Sequence, residues 1–249
     1  MADPETAFAP DNLSQTVAHL YEWLRKRTGG RNRYNVWNVD ALRQAFGDDI
    51  ATRATEAFRA HWRLEGPTLW SQRPAEERNS TPWKWIYGLC GLAAEASSPE
   101  WAARVTPGHA RIAAAHATVE LNGFPAWLKD LAAAHPAEVD AVLGSEITAE
   151  LAVGADHSHL PTLQDVTYAD HAVKRLFAPR LIVSLTAWPS KFPNDEAGQR
   201  WAHHLDQVVR ILDESSTGQD RSTIAAECER RFVTDPIGAL AQIWLRGLF

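Results

Sequence analysis

Hydrophobic positions recur along this chain with the period of an α-helix. One face of the first segment carries Leu13, Val17, Leu20, Tyr21 and Leu24, and Gly29-Gly30 ends the segment. Stripes of the same period follow, with apolar positions that include Ile50, Phe58, Trp62, Trp85, Ile86, Leu89, Leu128, Leu131, Val139, Leu143, Ile147, Leu205, Val208 and Leu212. The short apolar run from Leu181 to Leu185 has the length of a strand, but its neighbours are helical, so we predict a helix there too. The pattern predicts an all-α protein.

The helix starts carry a recurring signal, a residue that can cap a helix followed by proline. It occurs at Thr81-Pro82, Ser98-Pro99, Thr106-Pro107 and Asp235-Pro236. Ser, Thr or Asp at the N-cap accepts a hydrogen bond from an unpaired backbone N–H, and proline at the first helical position gives up only an N–H that has no partner. Two weaker starts are Phe124-Pro125 and His135-Pro136. Since the starts lie close together, we predict antiparallel helix pairs that form an irregular, HEAT-like α-solenoid.

Two breaks in the helical pattern suggest how the chain is divided. Proline, glycine and charged residues dominate the first break, and the second contains no apolar stripe. We expect an N-terminal helical segment over 1–64, an exposed connection over 65–81, a central array over 82–153, a loop over 154–170 and a C-terminal segment over 171–249. One continuous domain is the alternative. Because an apolar helical pattern runs to the last residue, a piece of a longer protein is a further expectation.

Composition narrows the class of protein. Of 249 residues, 45% are hydrophobic and 22% are charged, which is enough apolar side chain for a packed core. No apolar run approaches the roughly 20 residues that span a bilayer, and the N-terminus is acidic, so we expect a cytoplasmic protein without a membrane contact. A net charge of −6 disfavours nucleic acid as the partner and leaves a protein partner as the expectation.

A metal site is the sharpest chemical alternative in the sequence. His157 and His159 are separated by one residue, and a carboxylate such as Asp165 could join them around a divalent ion. The competing interpretation is a solvated or hydrogen-bonded loop, because no third ligand stands at a diagnostic spacing. Motifs for nucleotide binding and for a nucleophile elbow are missing, and Cys90 and Cys228 have the surroundings of buried thiols. We therefore predict no catalytic residue and no cofactor.

Candidate contact residues lie near the end of the first helix and in the connection. The basic stretch comprises Arg25, Lys26, Arg27, Arg31 and Arg33. Such residues can hold anions or stack on planar groups, although cations at a helix C-terminus also complement the helix dipole. Most of the 11 tryptophans share a stripe with aliphatic neighbours and are expected in the core. Trp37 and Trp70 have polar surroundings, so we predict that they anchor a partner protein.

One region resembles a known family. Residues 82–151, and above all the ELNGFPAWL turn, the His-Pro helix start and the tryptophan spacing, resemble the helical C-terminal region of large bacterial NACHT-type (STAND) NTPases. In that family the C-terminal array senses a target, often in defence against phage. The chain has no NTPase motif, so the resemblance implies only the sensing role, and it transfers no functional residue.

Three hypotheses for function follow. The first is a non-catalytic helical-repeat module that recognises a protein partner, and it predicts exposed aromatic side chains. The second is a metal-dependent enzyme that uses His157 and His159, and it predicts a bound metal. The third is a structural spacer between domains of a longer polypeptide, which predicts no partner.

Overall fold

The computed structural model describes residues 3–28, 36–64, 66–189 and 195–248. Every regular element in these ranges is helical, which confirms the all-α prediction. The chain divides into two compact units, unit 1 (Met1–Glu138) and unit 2 (Val139–Phe249). Within the described ranges, no helix is both long enough and apolar enough to cross a membrane.

Unit 1 contains eight helices among its described residues. They are α1 (Pro4–Ala7), α2 (Leu13–Thr28), α3 (Val39–Phe46), α4 (Asp48–Leu64), α5 (Trp83–Ala96), α6 (Trp101–Arg104), α7 (Pro107–Ala117) and α8 (Leu128–Ala134). A further short helix, α9 (Pro136–Val139), contains the boundary between the units. The connection between α4 and α5 has two 3-10 turns, Trp70–Gln72 and Ala75–Glu77.

The centre of unit 1 is the contact between α4 and α5. Phe58 and Trp62 of α4 and Leu89 of α5 are completely buried there. The two backbones approach closely at Gly91, where an added Cβ would lie 2.2 Å from the carbonyl oxygen of Phe58. Only glycine fits this position, so the side-chain size at residue 91 sets the distance between the two helices.

Unit 2 begins with a π-helical turn and continues through six α-helices among its described residues. These elements are the turn Asp140–Gly144, α10 (Ser145–Ala152), α11 (Pro161–Thr167), α12 (His171–Thr186), α13 (Glu196–Ser215), α14 (Gly218–Thr234) and α15 (Ala241–Arg246). The most extensive contact among the described helices of unit 2 is between α12 and α13, whose buried faces include Phe177, Leu181, Leu205 and Leu212. The run from Leu181 to Leu185 is helical, as predicted.

Two of the helix starts predicted at a proline are confirmed, one with a capping residue before the proline and one of the two weaker starts. At Thr106, the hydroxyl oxygen accepts the backbone N–H of His109 at 3.3 Å, and α7 begins at Pro107. A helix also begins at Pro136. At Thr81-Pro82 the helix starts one residue later, because Pro82 itself occupies the N-cap position of α5.

Other predicted starts are displaced or wrong. After Ser98-Pro99, Glu100 adopts the left-handed region with φ 52°, and α6 begins only at Trp101. After Phe124-Pro125, a turn delays α8 until Leu128. At Asp235-Pro236 no helix begins: the Gly238 N–H donates to the Asp235 carbonyl and closes a turn, and α15 starts at Ala241.

The segment over 154–170 was predicted as a loop, but it contains α11. Its N-cap residue is Leu160, whose side chain has no oxygen to accept a backbone N–H. The cap comes instead from Glu150 of α10 (2.8 and 2.9 Å to two backbone nitrogens). Because this cap is supplied from another helix, the local sequence does not reveal it.

Candidate functional site

The described part of the predicted basic stretch forms the end of α2. Arg25 pairs with Glu22 of the same helix at 2.9 Å, and the Arg27 guanidinium lies 4.3 Å from the ring centre of Trp23. The side chain of Lys26 is exposed. Arg31 and Arg33 lie outside the described residues. Two of the three described cations are thus engaged with neighbours on their own helix.

The two tryptophans predicted as anchors are partly covered by this chain's own side chains. Trp37 is half-buried, and its ring meets the edge of Phe58 with 5.3 Å between ring centres. Trp70 is also half-buried, with the Arg78 guanidinium 4.4 Å from its ring centre. Each ring therefore presents less apolar area to a partner than the sequence suggested.

The most exposed tryptophan among the described residues is Trp83, the first residue of α5, which is 54% exposed. With Tyr21 of α2 and Tyr87 of α5 it forms a cluster that we call the aromatic patch. The Trp83 and Tyr87 rings are nearly parallel, at 27° with 6.4 Å between centres. Tyr21 lies 6.2 Å from Trp83 and 5.1 Å from Tyr87. Tyr21 is almost completely buried, so it supports the two outer rings from beneath.

The aromatic patch was not predicted, although the sequence contains a signal for it. Trp83 and Tyr87 are four residues apart, so they share one face of α5. The buried stripe of this helix runs instead through Trp85, Ile86 and Leu89. A Trp–Tyr pair that lies off the apolar stripe of its own helix indicates an aromatic surface facing solvent.

Charged and polar groups border the aromatic patch. Burial raises the pKa of Tyr87, and the carboxylate of Glu22 raises it further, so its hydroxyl remains a hydrogen-bond donor at neutral pH. Glu22 is itself paired with Arg25. On another side, His61 contacts the Tyr87 ring at 6.1 Å between centres, and its Nε2 lies 3.2 Å from the Lys84 carbonyl oxygen. The patch therefore has an apolar centre and a polar rim.

Unit 1 also contains a groove beside α2. This α2 groove has a volume of about 520 Å³ and is lined by Thr6, Ala7, Asn12, Gln15, Thr16, His19, Leu20, Trp23 and Phe46. The Trp23 and Phe46 rings contact each other with 4.9 Å between centres and form its aromatic end. Its volume is within the range of roughly 300–1,000 Å³ that small-molecule sites occupy.

No protein-family model, curated protein or solved structure matches this chain.

The predicted metal ligands lie in unit 2. His157 accepts a hydrogen bond through its carbonyl oxygen from Nε2 of His204 at 2.9 Å. Burial lowers the pKa of His159, and the nearby His204 and His203 lower it further. Asp165 lies on α11. In the part of the chain that the structure describes, no three His, Cys, Asp or Glu side chains are grouped so that they could hold a metal ion.

The two cysteines are buried in separate units, as expected for core thiols. Burial raises the pKa of Cys90 far above its usual range and raises that of Cys228 to about 11. Both side chains therefore stay protonated at neutral pH. Since the thiolate is the nucleophilic form, neither cysteine is activated for covalent catalysis.

Proposed function

We propose that this chain is a non-catalytic helical recognition module that binds a partner protein through the aromatic patch. The observation that carries the proposal is the exposed ring of Trp83, stacked on Tyr87 and supported by Tyr21. The irregular α-solenoid expected from the sequence pattern remains part of the proposal, because such arrays work by presenting extended binding surfaces.

The composition of the patch suits a protein interface. Tryptophan, tyrosine and arginine dominate the residues that carry most of the binding energy in such interfaces. Trp83 and Tyr87 supply large apolar area, and the ion pair of Arg25 with Glu22 lies on the rim next to Tyr87. Because Tyr21 and Tyr87 already hold the Trp83 ring, its ordering on binding costs little conformational entropy.

The resemblance of residues 82–151 to the sensor region of NACHT-type NTPases supplies a biological setting for this proposal. In that setting the partner is a phage or host protein that appears during infection. The aromatic patch lies partly in the resembling region, since α5 contributes Trp83 and Tyr87.

Co-purification tests the proposal. The full chain is expressed with an affinity tag in a bacterial host, with and without phage challenge, as wild type, Trp83→Ala and Leu121→Ala. Leu121 is 65% exposed and lies outside the patch, so it is a matched apolar truncation in the same unit. We expect quantitative mass spectrometry to find a protein that the wild type and Leu121→Ala retain and Trp83→Ala loses.

The purified partner then allows a direct measurement. Truncation of an anchor that carries about 2 kcal/mol or more weakens binding roughly 30-fold, so calorimetry should show at least that loss for Trp83→Ala. Unfolding curves of the variants check that the fold is intact. Identical sets of co-purified proteins for all three chains would contradict the proposal and favour the spacer hypothesis.

A further inference from the structure

The α2 groove has two chemically different ends. Leu20, Trp23 and Phe46 make one end apolar and largely aromatic. Hydroxyl, amide and imidazole groups line the other end, contributed by Thr6, Asn12, Gln15, Thr16 and His19. An apolar wall with a few convergent polar groups is the usual construction of a small-molecule site, because the wall supplies affinity and the polar groups fix orientation.

The wall opposite α2 is held in place by specific contacts. The Thr16 hydroxyl donates to the carbonyl oxygen of Ala7 at 2.5 Å. The side-chain amide of Asn12 donates to the backbone carbonyl oxygen of Thr6 at 2.9 Å. An ion pair of 2.7 Å between Glu5 of α1 and Arg53 of α4 ties the same segment to the core helices. The groove is therefore a formed feature of unit 1, and a ligand does not have to create it.

The charges beside the aromatic end of the groove favour an anion. The lining contains no carboxylate among the described residues, and Asp3, whose carboxylate accepts the backbone N–H and the hydroxyl of Thr6, lies at the polar end. His19, Trp23 and Arg27 follow one another at intervals of four residues, so they lie along one face of α2. The Arg27 guanidinium lies over the Trp23 ring, and Lys26 is exposed on the same turn. A ligand at Trp23 thus has cations beside it and an imidazole one turn away.

From this arrangement we propose that the α2 groove binds a small carboxylate with an aromatic ring. The ring packs against Trp23 and Phe46, and the carboxylate pairs with the cations beside Trp23 on α2. This site is separate from the aromatic patch, so the two proposals stand independently.

Two probes that share an aromatic ring but carry opposite charges test the ligand class. 3-Phenylpropionate and 3-phenylpropylamine have the same ring on a chain of similar length, but one is an anion and the other a cation at neutral pH. Ligand-observed NMR titrations of the full chain measure both dissociation constants. We expect a millimolar constant for the carboxylate, which is typical of a ligand of this size, and clearly weaker binding of the amine.

An added negative charge tests whether the probe binds in the groove. His19 is exposed on a helix, so we expect His19→Glu to preserve the fold while it adds a negative charge to the lining. It should weaken 3-phenylpropionate binding about fivefold, which is the size of one repulsive surface contact, and should strengthen binding of the amine. Ala60→Glu adds the same charge at an exposed position of α4 outside the lining and should change neither constant.

A second variant tests the aromatic end. Phe46→Ala removes one side of the ring contact and should weaken both probes, and its unfolding curve reports whether unit 1 remains folded. No detectable binding of the carboxylate, equal affinity for the two probes, or equal losses in His19→Glu and Ala60→Glu would each overturn the proposal.

Discussion

The carboxylate of Glu150 caps the helix that contains Thr162, although the two residues belong to different helices. One oxygen accepts the backbone N–H of Thr162 at 2.8 Å, and the other accepts that of Leu163 at 2.9 Å. Glu150 is completely buried. Two of the unpaired N–H groups at the start of α11 are satisfied in this way, and α10 is tied to α11.

Removal of this cap should destabilise unit 2. Glu150→Ala removes both acceptor oxygens, so the backbone N–H groups of Thr162 and Leu163 lose their partner. We expect a loss of about 1–2 kcal/mol in the free energy of unfolding, measured by urea denaturation at pH 5. Glu229→Ala makes the same change at an exposed position of α14 and should have no measurable effect. Equal losses in both variants would show that the cap contributes nothing.

The same carboxyl should make stability depend on pH. Burial raises the pKa of Glu150 to about 7, and the charge of Glu146 adds to this, whereas the two N–H donors and Thr162 act in the opposite direction. The folded chain therefore binds the proton more tightly than the unfolded chain, whose carboxyl titrates near 4.5. The stabilisation that comes from protonation is complete below about pH 4.5 and is lost as the pH rises through about 7.

The measurable quantity is the stability difference between the wild type and Glu150→Gln at two pH values. We expect the wild type to lose on the order of 3 kcal/mol relative to the variant between about pH 4.5 and pH 8. The other titrating groups contribute equally to the stability of both chains, so their contributions cancel in this difference. A difference that is constant across the range would show that burial does not control the ionisation of Glu150.

Gly91 should tolerate no side chain. In Gly91→Ala, the new Cβ would lie 2.2 Å from the Phe58 carbonyl oxygen, and α4 and α5 would have to separate. We expect a destabilisation of about 3 kcal/mol or more, measured as a shift of the denaturation midpoint. Gly108→Ala is the control, because nothing lies within 4 Å of its added Cβ, and alanine there should be neutral or slightly stabilising. A neutral Gly91→Ala would contradict the close helix contact.

Arg230 and Arg231 offer a matched pair on α14. Both pair with Glu227, at 2.6 and 2.7 Å, but Arg231 is buried and also donates to the carbonyl oxygens of Thr186 and Pro189. We expect Arg231→Met to cost about 2–4 kcal/mol, because Glu227 and the two carbonyls lose a donor. Arg230→Met, at an exposed position, should have a much smaller effect, because solvent screens its ion pair. Thermal unfolding compares the two, and equal effects would contradict the importance of the buried contacts.

The helical class and many of the individual helices follow from the amino-acid sequence. Apolar stripes such as Leu13 to Leu24 and the cap at Thr106 depend on residues three or four positions apart, so their effect can be worked out before the fold is known. The helix start predicted at Asp235-Pro236 is wrong, because the chain closes a turn there. A cap–proline pair permits a helix but does not supply the tertiary contacts that stabilise it.

Tertiary structure alone decided which side chains meet. Glu150 and Thr162 are 12 residues apart, and Tyr21 and Trp83 come from helices far apart in the sequence. Trp37 and Trp70 have polar neighbours in sequence but are partly covered by Phe58 and Arg78, while Trp83 remains exposed. Exposure depends on the neighbours that packing brings close, and periodicity along one helix does not specify those neighbours.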